Sequence, residues 1–361
     1  MRLLVTIGAY PPDHSGAGKR IRETYSTIER SDKAKGGTFT WKVLSHHVRL
    51  STDINDDTNV SRIKEGKKLP TILACMRHIR YHQIDIVHCV GISKITMCSA
   101  WAAIFLRRPY IFELSIDPPE DTLTRFKNKV FNYPLRKASG YIALTSRLKA
   151  FFQQISNSQP IFLRPNPVTL NTDGVKGADL IPTLPHLLLG RFSKRKGQEV
   201  AIRTLSHLPD TERLILAGPV IGQQDRDYVA SLRELVAQLG LENRVEFRTE
   251  FVRDVASQIG QCQSVWCFSE REGLPNVVLE ALWCGRPAFV NAGLGLQDIV
   301  TDYENGLNLP GSPKEKALLI RSALSKDFDN ELIRAKAQKL FDLQVHAEKT
   351  HQFIKSILPG T

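Results

Sequence analysis

Short apolar runs of four to six residues alternate with amphipathic or mixed helical stretches along the whole 361-residue sequence, and this leaves few folds open. In the first half the strand candidates are Arg2 to Ile7, Thr40 to Ser45, Ile84 to His88, Tyr110 to Leu114, Gly140 to Leu144 and Ile161 to Arg164. Helical stretches such as Gly18 to Arg30, Leu69 to Gln83 and Ile95 to Leu106 lie between them. Short apolar strands joined by helices are what a parallel sheet covered on both faces requires. The expectation is therefore an α/β chain of doubly wound domains. After Pro165-Asn166-Pro167 the alternation pauses over a stretch rich in Pro and Gly. It restarts with Leu187 to Leu189, Arg213 to Ala217, Arg244 to Phe247, Ser264 to Phe268 and Pro287 to Val290, so a second domain of the same class is expected. A last helical stretch covers Ala335 to Leu358, with apolar Phe341, Val345, Phe353 and Ile354.

Composition removes several function classes. The longest nearly apolar stretch, Ile95 to Leu106, is 12 residues long, short of the roughly 20 that span a bilayer. Met1 to Gly8 lacks a signal peptide's long apolar region and reads as a first strand. The six cysteines form no C-x-x-C pair and have no His at zinc-finger spacing, so reduced, buried thiols in a cytosolic protein are expected. Residues 1–170 hold 26 basic and 13 acidic side chains, and residues 171–361 hold 23 and 24. The positive charge thus belongs to the first half, which points to an anionic partner there. Nucleic acid is a poor fit, because no zinc finger, RRM signature or basic region with heptads is present.

Two motifs in the second half carry chemistry. Gly190-Arg191-Phe192-Ser193-Lys194-Arg195-Lys196-Gly197 follows the strand Leu187 to Leu189. Arg191 and Lys196 there supply a fork and a point charge suited to a diphosphate, and the helix from Gln198 adds its N-terminal N–H groups. Glu272-Gly273-Leu274-Pro275-Asn276, followed by Glu280, reads as a strand end, a Gly-Pro loop and a helix start, with Pro275 in the first helical turn. Its two carboxylates suit a ligand rich in hydroxyls. Each motif taken alone reads more readily as a solvated loop; what favours a site is that both open at carboxyl ends of strands in one domain.

The G-R-x4-K-G frame, the E-x7-E frame around Glu272 and Glu280, and Glu304-Asn305-Gly306 with Pro310 resemble the retaining family 4 glycosyltransferases. The likeness extends to Tyr10-Pro11-Pro12 with Gly16-Ala17-Gly18, to Asp85-Ile86-Val87-His88, to Arg164-Pro165-Asn166-Pro167-Val168 and to Phe341–Leu358. It implies GT-B architecture: two Rossmann-like domains facing a cleft, with the C-terminal helix crossing back to the first. It gives Arg191 and Lys196 the donor diphosphate, Glu280 the ribose hydroxyls and Glu272 the donor sugar. Gly16, Ala17 and Gly18, together with Gly190 and the Gly273–Asn276 loop, would line the donor by backbone. Family members often carry a His where this sequence has Ser115; Ser115 can orient a hydroxyl but is not a base near neutral pH. Asp117 either takes its catalytic place or makes an Asx turn before Pro118.

The resemblance implies a first domain of residues 1–168 plus a helix at 342–361 for the acceptor, and a second domain of residues 169–341 for a UDP- or GDP-linked sugar. The expected activity is transfer with retention to a saccharide or lipid-linked saccharide in cell-surface polysaccharide assembly, with no metal or other cofactor. A GT-B nucleotide-sugar epimerase and a non-catalytic nucleotide-sugar-binding protein are the alternatives. The run Arg125 to Lys137, with Arg125, Lys127, Lys129, Arg136 and Lys137 interleaved with Phe126, Val130, Phe131, Tyr133 and Leu135, suggests peripheral docking on an anionic membrane at its cytoplasmic face.

Overall fold

The computed structural model describes residues 1–11, 16–46, 59–64, 66–114, 133–156, 158–172 and 184–358. The chain forms two compact units, Met1–Pro167 with Leu343–Thr361, and Val168–Asp342. The first holds strands β1 (Arg2–Ile7), β2 (Thr40–His46), β3 (Val60–Ile63), β4 (Ile86–Val90), β5 (Tyr110–Leu114), β6 (Gly140–Ala143) and β7 (Ile161–Leu163). They lie parallel in the order 3-2-1-4-5-6-7. Val5 of β1 is in register with Val43 on one side and His88 on the other, so the winding direction reverses between β1 and β4. The helix Gly16–Ala34 lays Ile21, Tyr25 and Ile28 against Phe39 and Trp41, and the C-terminal helix Leu343–Ile357 adds Ala347 and Ile354 to that core.

The second unit repeats the scheme with β8 (His186–Leu189), β9 (Leu214–Ala217), β10 (Val245–Arg248), β11 (Ser264–Cys267), β12 (Ala288–Asn291) and β13 (Gly306–Leu309), all parallel, in the order 10-9-8-11-12-13. Here the reversal falls between β8 and β11, the point at which doubly wound sheets leave a crevice at their carboxyl edge. The expected fold class is the one observed.

Two local expectations change. β3 and β13 are additional strands: each has four residues, and β3 is only half-buried with Ser61 and Arg62 inside it, so neither shows a clear apolar signal. The helical stretch at the C-terminus is two helices, Asn330–Phe341 and Leu343–Ile357, separated at Asp342, whose φ of −59° and ψ of 129° are extended. Phe341 is buried in the second unit and Ile354 in the first, whereas Val345 is exposed. In the basic run, Arg125, Phe126, Lys127, Lys129, Val130 and Phe131 lie outside the described residues. Of the run's described apolar residues, Tyr133 is exposed and Leu135 is buried in the core. All six cysteines are free and buried.

Candidate functional site

The site assembles where β8 and β11 release their chains. β8 is followed by Gly190, whose N–H donates to Ala217 O at 2.8 Å. Next to it Gly218 has φ 147°, and a Cβ there would stand 2.2 Å from Gly190 O. The G-R-x4-K-G segment then makes a short 3-10 turn, Lys194–Lys196, closed by Gly197 at φ 76°, which also begins the helix Gln198–Leu205. A Cβ on Gly197 would lie 2.2 Å from Phe268 O, so the loop after β8 rests directly on the backbone leaving β11. Gly197→Ala is expected to cost about 2–4 kcal/mol, from the left-handed backbone and the overlap together. Urea denaturation measures it.

That close approach brings the charges together. Lys196 Nζ donates to Glu272 Oε1 at 2.6 Å, and Arg195 Nη1 donates to the same oxygen at 3.0 Å and to Arg271 O at 2.6 Å. Arg195 O in turn accepts the Glu270 N–H at 2.9 Å, which ties the two loops by backbone. Glu272 is half-buried, and two cations share its one charge, so the group is net positive.

Arg191 is engaged differently. Its Nε and Nη2 donate to Asp225 at 2.8 and 3.1 Å, and Ile221 N–H donates to the same carboxylate at 2.7 Å. Burial works to raise the Asp225 carboxyl, but the Arg191 and Ile221 hydrogen bonds outweigh it and hold it below its ordinary value. The Asp225 hydrogen bond raises Arg191 correspondingly. The Gln198 side chain is fully buried and donates to Arg191 O at 3.1 Å, which fixes the backbone beneath the guanidinium.

Gly273, Leu274 and Pro275 are buried behind Glu272. Pro275 is the residue before the helix Asn276–Trp283, with extended backbone (ψ 120°), and is not in its first turn as expected. Neither an acidic residue in the first turn nor a capping side chain occupies that helix start, and such a start favours an anion. The helix ends in a Schellman motif: Arg286 N–H donates to Ala281 O, Gly285 N–H donates to Leu282 O, and Gly285 has φ 77°. Glu280 is half-buried on this helix, near enough to Cys284 that its charge adds to burial in pushing that thiol up to about 12.

The second unit thus gathers Gly190, Arg191, Lys196, Glu272, Gly273, Leu274, Pro275, Asn276 and Glu280 on the loops after β8 and β11 and the helix behind them. Gly197, the last glycine of the G-R-x4-K-G frame, belongs to the same group, as do Asp225 and Arg195, to which the sequence analysis gave no role. Asp225 had one usable signal, an acid in the first turn of the helix that follows β9. In the first unit Gly16, Ala17 and Gly18 form the first turn of a helix and not a loop. Gly18 is buried, and a Cβ on it would stand 2.7 Å from Pro11 Cδ. Ser115 and Asp117 lie outside the described residues.

Residues 186–340 match the family model of the glycosyl transferases group 1. The chain is 27% identical over 186 residues to the GDP-Man:Man(3)GlcNAc(2)-PP-Dol alpha-1,2-mannosyltransferase of Dictyostelium discoideum, a match covering 48% of this chain and 36% of that protein. It is 32% identical over 126 residues to the D-inositol 3-phosphate glycosyltransferase of Xylanimonas cellulosilytica, covering 35% of this chain and 30% of that protein. The matched segments span about a third of the length of these curated relatives. Among solved structures, Anabaena Alr3699/HepE in complex with UDP superposes with a TM-score of 0.81 at 20% identity, over 99% of this chain and 100% of that one. The fold is GT-B.

Proposed function

Because residues 186–340 carry a domain of the group 1 glycosyl transferases, we propose that the chain takes a sugar from a nucleotide-diphosphate donor and transfers it, with retention of configuration, to a saccharide or lipid-linked saccharide. The observation that carries this reading is the 2.6 Å contact between Lys196 and Glu272 at the reversal point of the second sheet. In a sugar joined to a diphosphate, hydroxyls and phosphate oxygens lie within a few ångströms of each other. A carboxylate beside an ammonium reads both at once, Glu272 accepting from sugar hydroxyls and Lys196 facing the phosphates. As the sugar–phosphate bond breaks, the electron pair goes to the phosphate oxygen, and fixed cations at that oxygen stabilise the growing charge without a metal. Glu280 would accept from the ribose hydroxyls. Asp225 would hold Arg191 oriented until phosphate oxygens compete for its fork.

The test is titration calorimetry with UDP and GDP. Lys196→Ala removes a charged hydrogen bond of about 1.5–3 kcal/mol and should weaken nucleotide-diphosphate binding at least tenfold. Arg191→Ala should weaken it less, since Asp225 already satisfies that fork. Unchanged affinity in both variants rejects the assignment.

A peripheral membrane role for the first unit, in the assembly of cell-surface polysaccharide, belongs to the same proposal. No helix among the described residues is long and apolar enough to cross a membrane. Support comes from an aromatic ladder: Trp101 stacks at 5.7 Å on both Phe105 and Tyr133, and Lys137 Nζ lies 5.9 Å above the Tyr133 ring. Phe105 and Tyr133 are exposed, as are Arg107, Arg108 and Arg136 beside them. Aromatic rings flanked by cations suit the headgroup layer of an anionic bilayer, at about 1 kcal/mol per cation. Sedimentation with anionic vesicles at low salt should carry the protein down. Replacing Arg107, Arg108, Arg136 and Lys137 with Gln should release it; equal pelleting of parent and variant would favour a soluble acceptor.

A further inference from the structure

Beneath the carboxyl ends of β4 and β5 the first unit buries a charge cluster that the donor chemistry does not use. Glu113, on β5, is fully buried; Arg20 Nη2 lies 2.5 Å from its Oε1, Arg164 Nη2 donates to its Oε2 at 3.0 Å, and His88 Nε2 lies 3.5 Å from Oε2. On the other side of the ring, Tyr25 Oη and His88 Nδ1 are 2.7 Å apart. None of the four groups around the carboxylate, Arg20, Arg164, His88 and Tyr25, is more than 4% exposed.

The charges do not cancel. Burial holds the His88 imidazole down at about 4, so it is neutral near pH 7. Burial also works to raise Glu113, but Arg20 and Arg164 outweigh it and hold the carboxyl at about 2. One carboxylate therefore faces two guanidiniums, which leaves one buried positive charge over. The hydrogen bonds show the same deficit. Nε and Nη1 of Arg20 and Nε and Nη1 of Arg164 are buried without a hydrogen-bond partner, as is Thr24 Oγ1, one helical turn from Arg20. Unpaired buried donors on charged groups are costly, and native interiors seldom keep them. Arg20 also stands near the start of a 19-residue helix with no acid in its first turn, at the end where the helix dipole favours an anion and disfavours a cation.

We propose that Arg20, Arg164 and Thr24 form an anion subsite in the first unit that takes a phosphate group of the acceptor. Two guanidinium forks and a hydroxyl offer more donors than the two oxygens of a carboxylate absorb, whereas a phosphate presents three or four oxygens. Glu113 tempers the site: it bridges the two guanidiniums, one at each of its oxygens, and leaves a single excess charge for the ligand to neutralise. The subsite stands on the ion pairs and unpaired donors of the first unit; giving its phosphate to the acceptor rests on the glycosyltransferase reading.

The experiment is calorimetry and thermal melting of the whole chain with inorganic phosphate in phosphate-free buffer. It is run on the parent and on Lys196→Ala, which weakens phosphate binding in the second unit. Phosphate should bind and raise the melting temperature in both. Glu113→Gln, which leaves a second excess charge, should bind phosphate about tenfold more tightly than the parent, a change that a purely structural ion pair would not produce. Arg20→Gln should lose the effect. Should Arg20→Gln fail to fold, the charge-balanced double change Arg164→Gln with Glu113→Gln takes its place. Phosphate binding that disappears in Lys196→Ala, or that is indifferent to Glu113→Gln, overturns the subsite. The source is read separately, by transfer assays with a soluble sugar monophosphate, a short-chain polyprenyl phosphate sugar and the same sugars without phosphate. A preference for either phosphorylated acceptor that Arg20→Gln abolishes assigns the source. Equal use of all three overturns the acceptor role while leaving nucleotide binding, and so the donor reading, intact.

Discussion

Glu272→Gln is expected to lower turnover by about a hundredfold, the scale on which one preorganised polar contact to a reacting group acts, while nucleotide-diphosphate affinity is kept or tightened. The sign of the second effect comes from the ion pairing. Glu272 Oε1 holds Lys196 at 2.6 Å and Arg195 at 3.0 Å, so removing its charge leaves two cations with more potential for phosphate. Glu280→Gln should do the reverse, weakening UDP or GDP by about 1.5–3 kcal/mol through a lost charged hydrogen bond, with a smaller effect on turnover at saturation. Calorimetry and initial rates on the two variants settle the division. If both changes weaken free nucleotide to the same degree, Glu272 is a nucleotide contact and not a sugar contact.

The largest loss of stability is expected from Glu113→Ala, about 3–5 kcal/mol, because it strands two buried guanidiniums without the carboxylate they share. Urea denaturation in phosphate-free buffer gives the figure, and added phosphate should return part of it. Acid works on the same cluster. His88 is held at about 4 by burial, whereas an unfolded histidine titrates near 6.5. Between those values the unfolded state binds a proton that the native state refuses, so stability falls as pH is lowered through that window, by roughly 2 kcal/mol at pH 5 for this group alone. The Glu113 contribution persists there and is lost only as pH falls below the ordinary carboxylate range toward about 2. A melting temperature that is flat from pH 7 to pH 5 would contradict a neutral, buried His88.

The fold was legible because its information is local. Arg2–Ile7 and Tyr110–Leu114 are apolar runs that a doubly wound sheet buries on both faces, and their bounds follow from the sequence. Val60–Ile63 was not legible, since its place at the sheet edge leaves it half-buried and lets Ser61 and Arg62 sit within it. The break at Asp342 carries no Gly or Pro and is set by the two helices packing in different units. In the site, Lys196 and Glu272 stood out through the spacing of their own loops. The hold of Asp225 on Arg191 and the share of Arg195 in Glu272 did not, because each joins loops 34 and 77 residues apart with no period linking them. The tight contact of Gly197 on Phe268 O was hidden for the same reason: a glycine beside a lysine reads as a turn, and only the neighbouring strand shows why nothing larger fits.

The C-terminal helix has a bearing on how the chain matures. Ala347 and Ile354 complete a core whose other members come from the first half of the sequence. A ribosome that has released residues up to Asp342 has made every strand of both sheets, yet only the second unit then has all of its parts. The flank of the helix Gly16–Ala34 that Ala347 and Ile354 will cover stays bare until Leu343–Ile357 has emerged. Domains usually finish folding in the order in which they emerge; here the unit that emerges first is the one that finishes last.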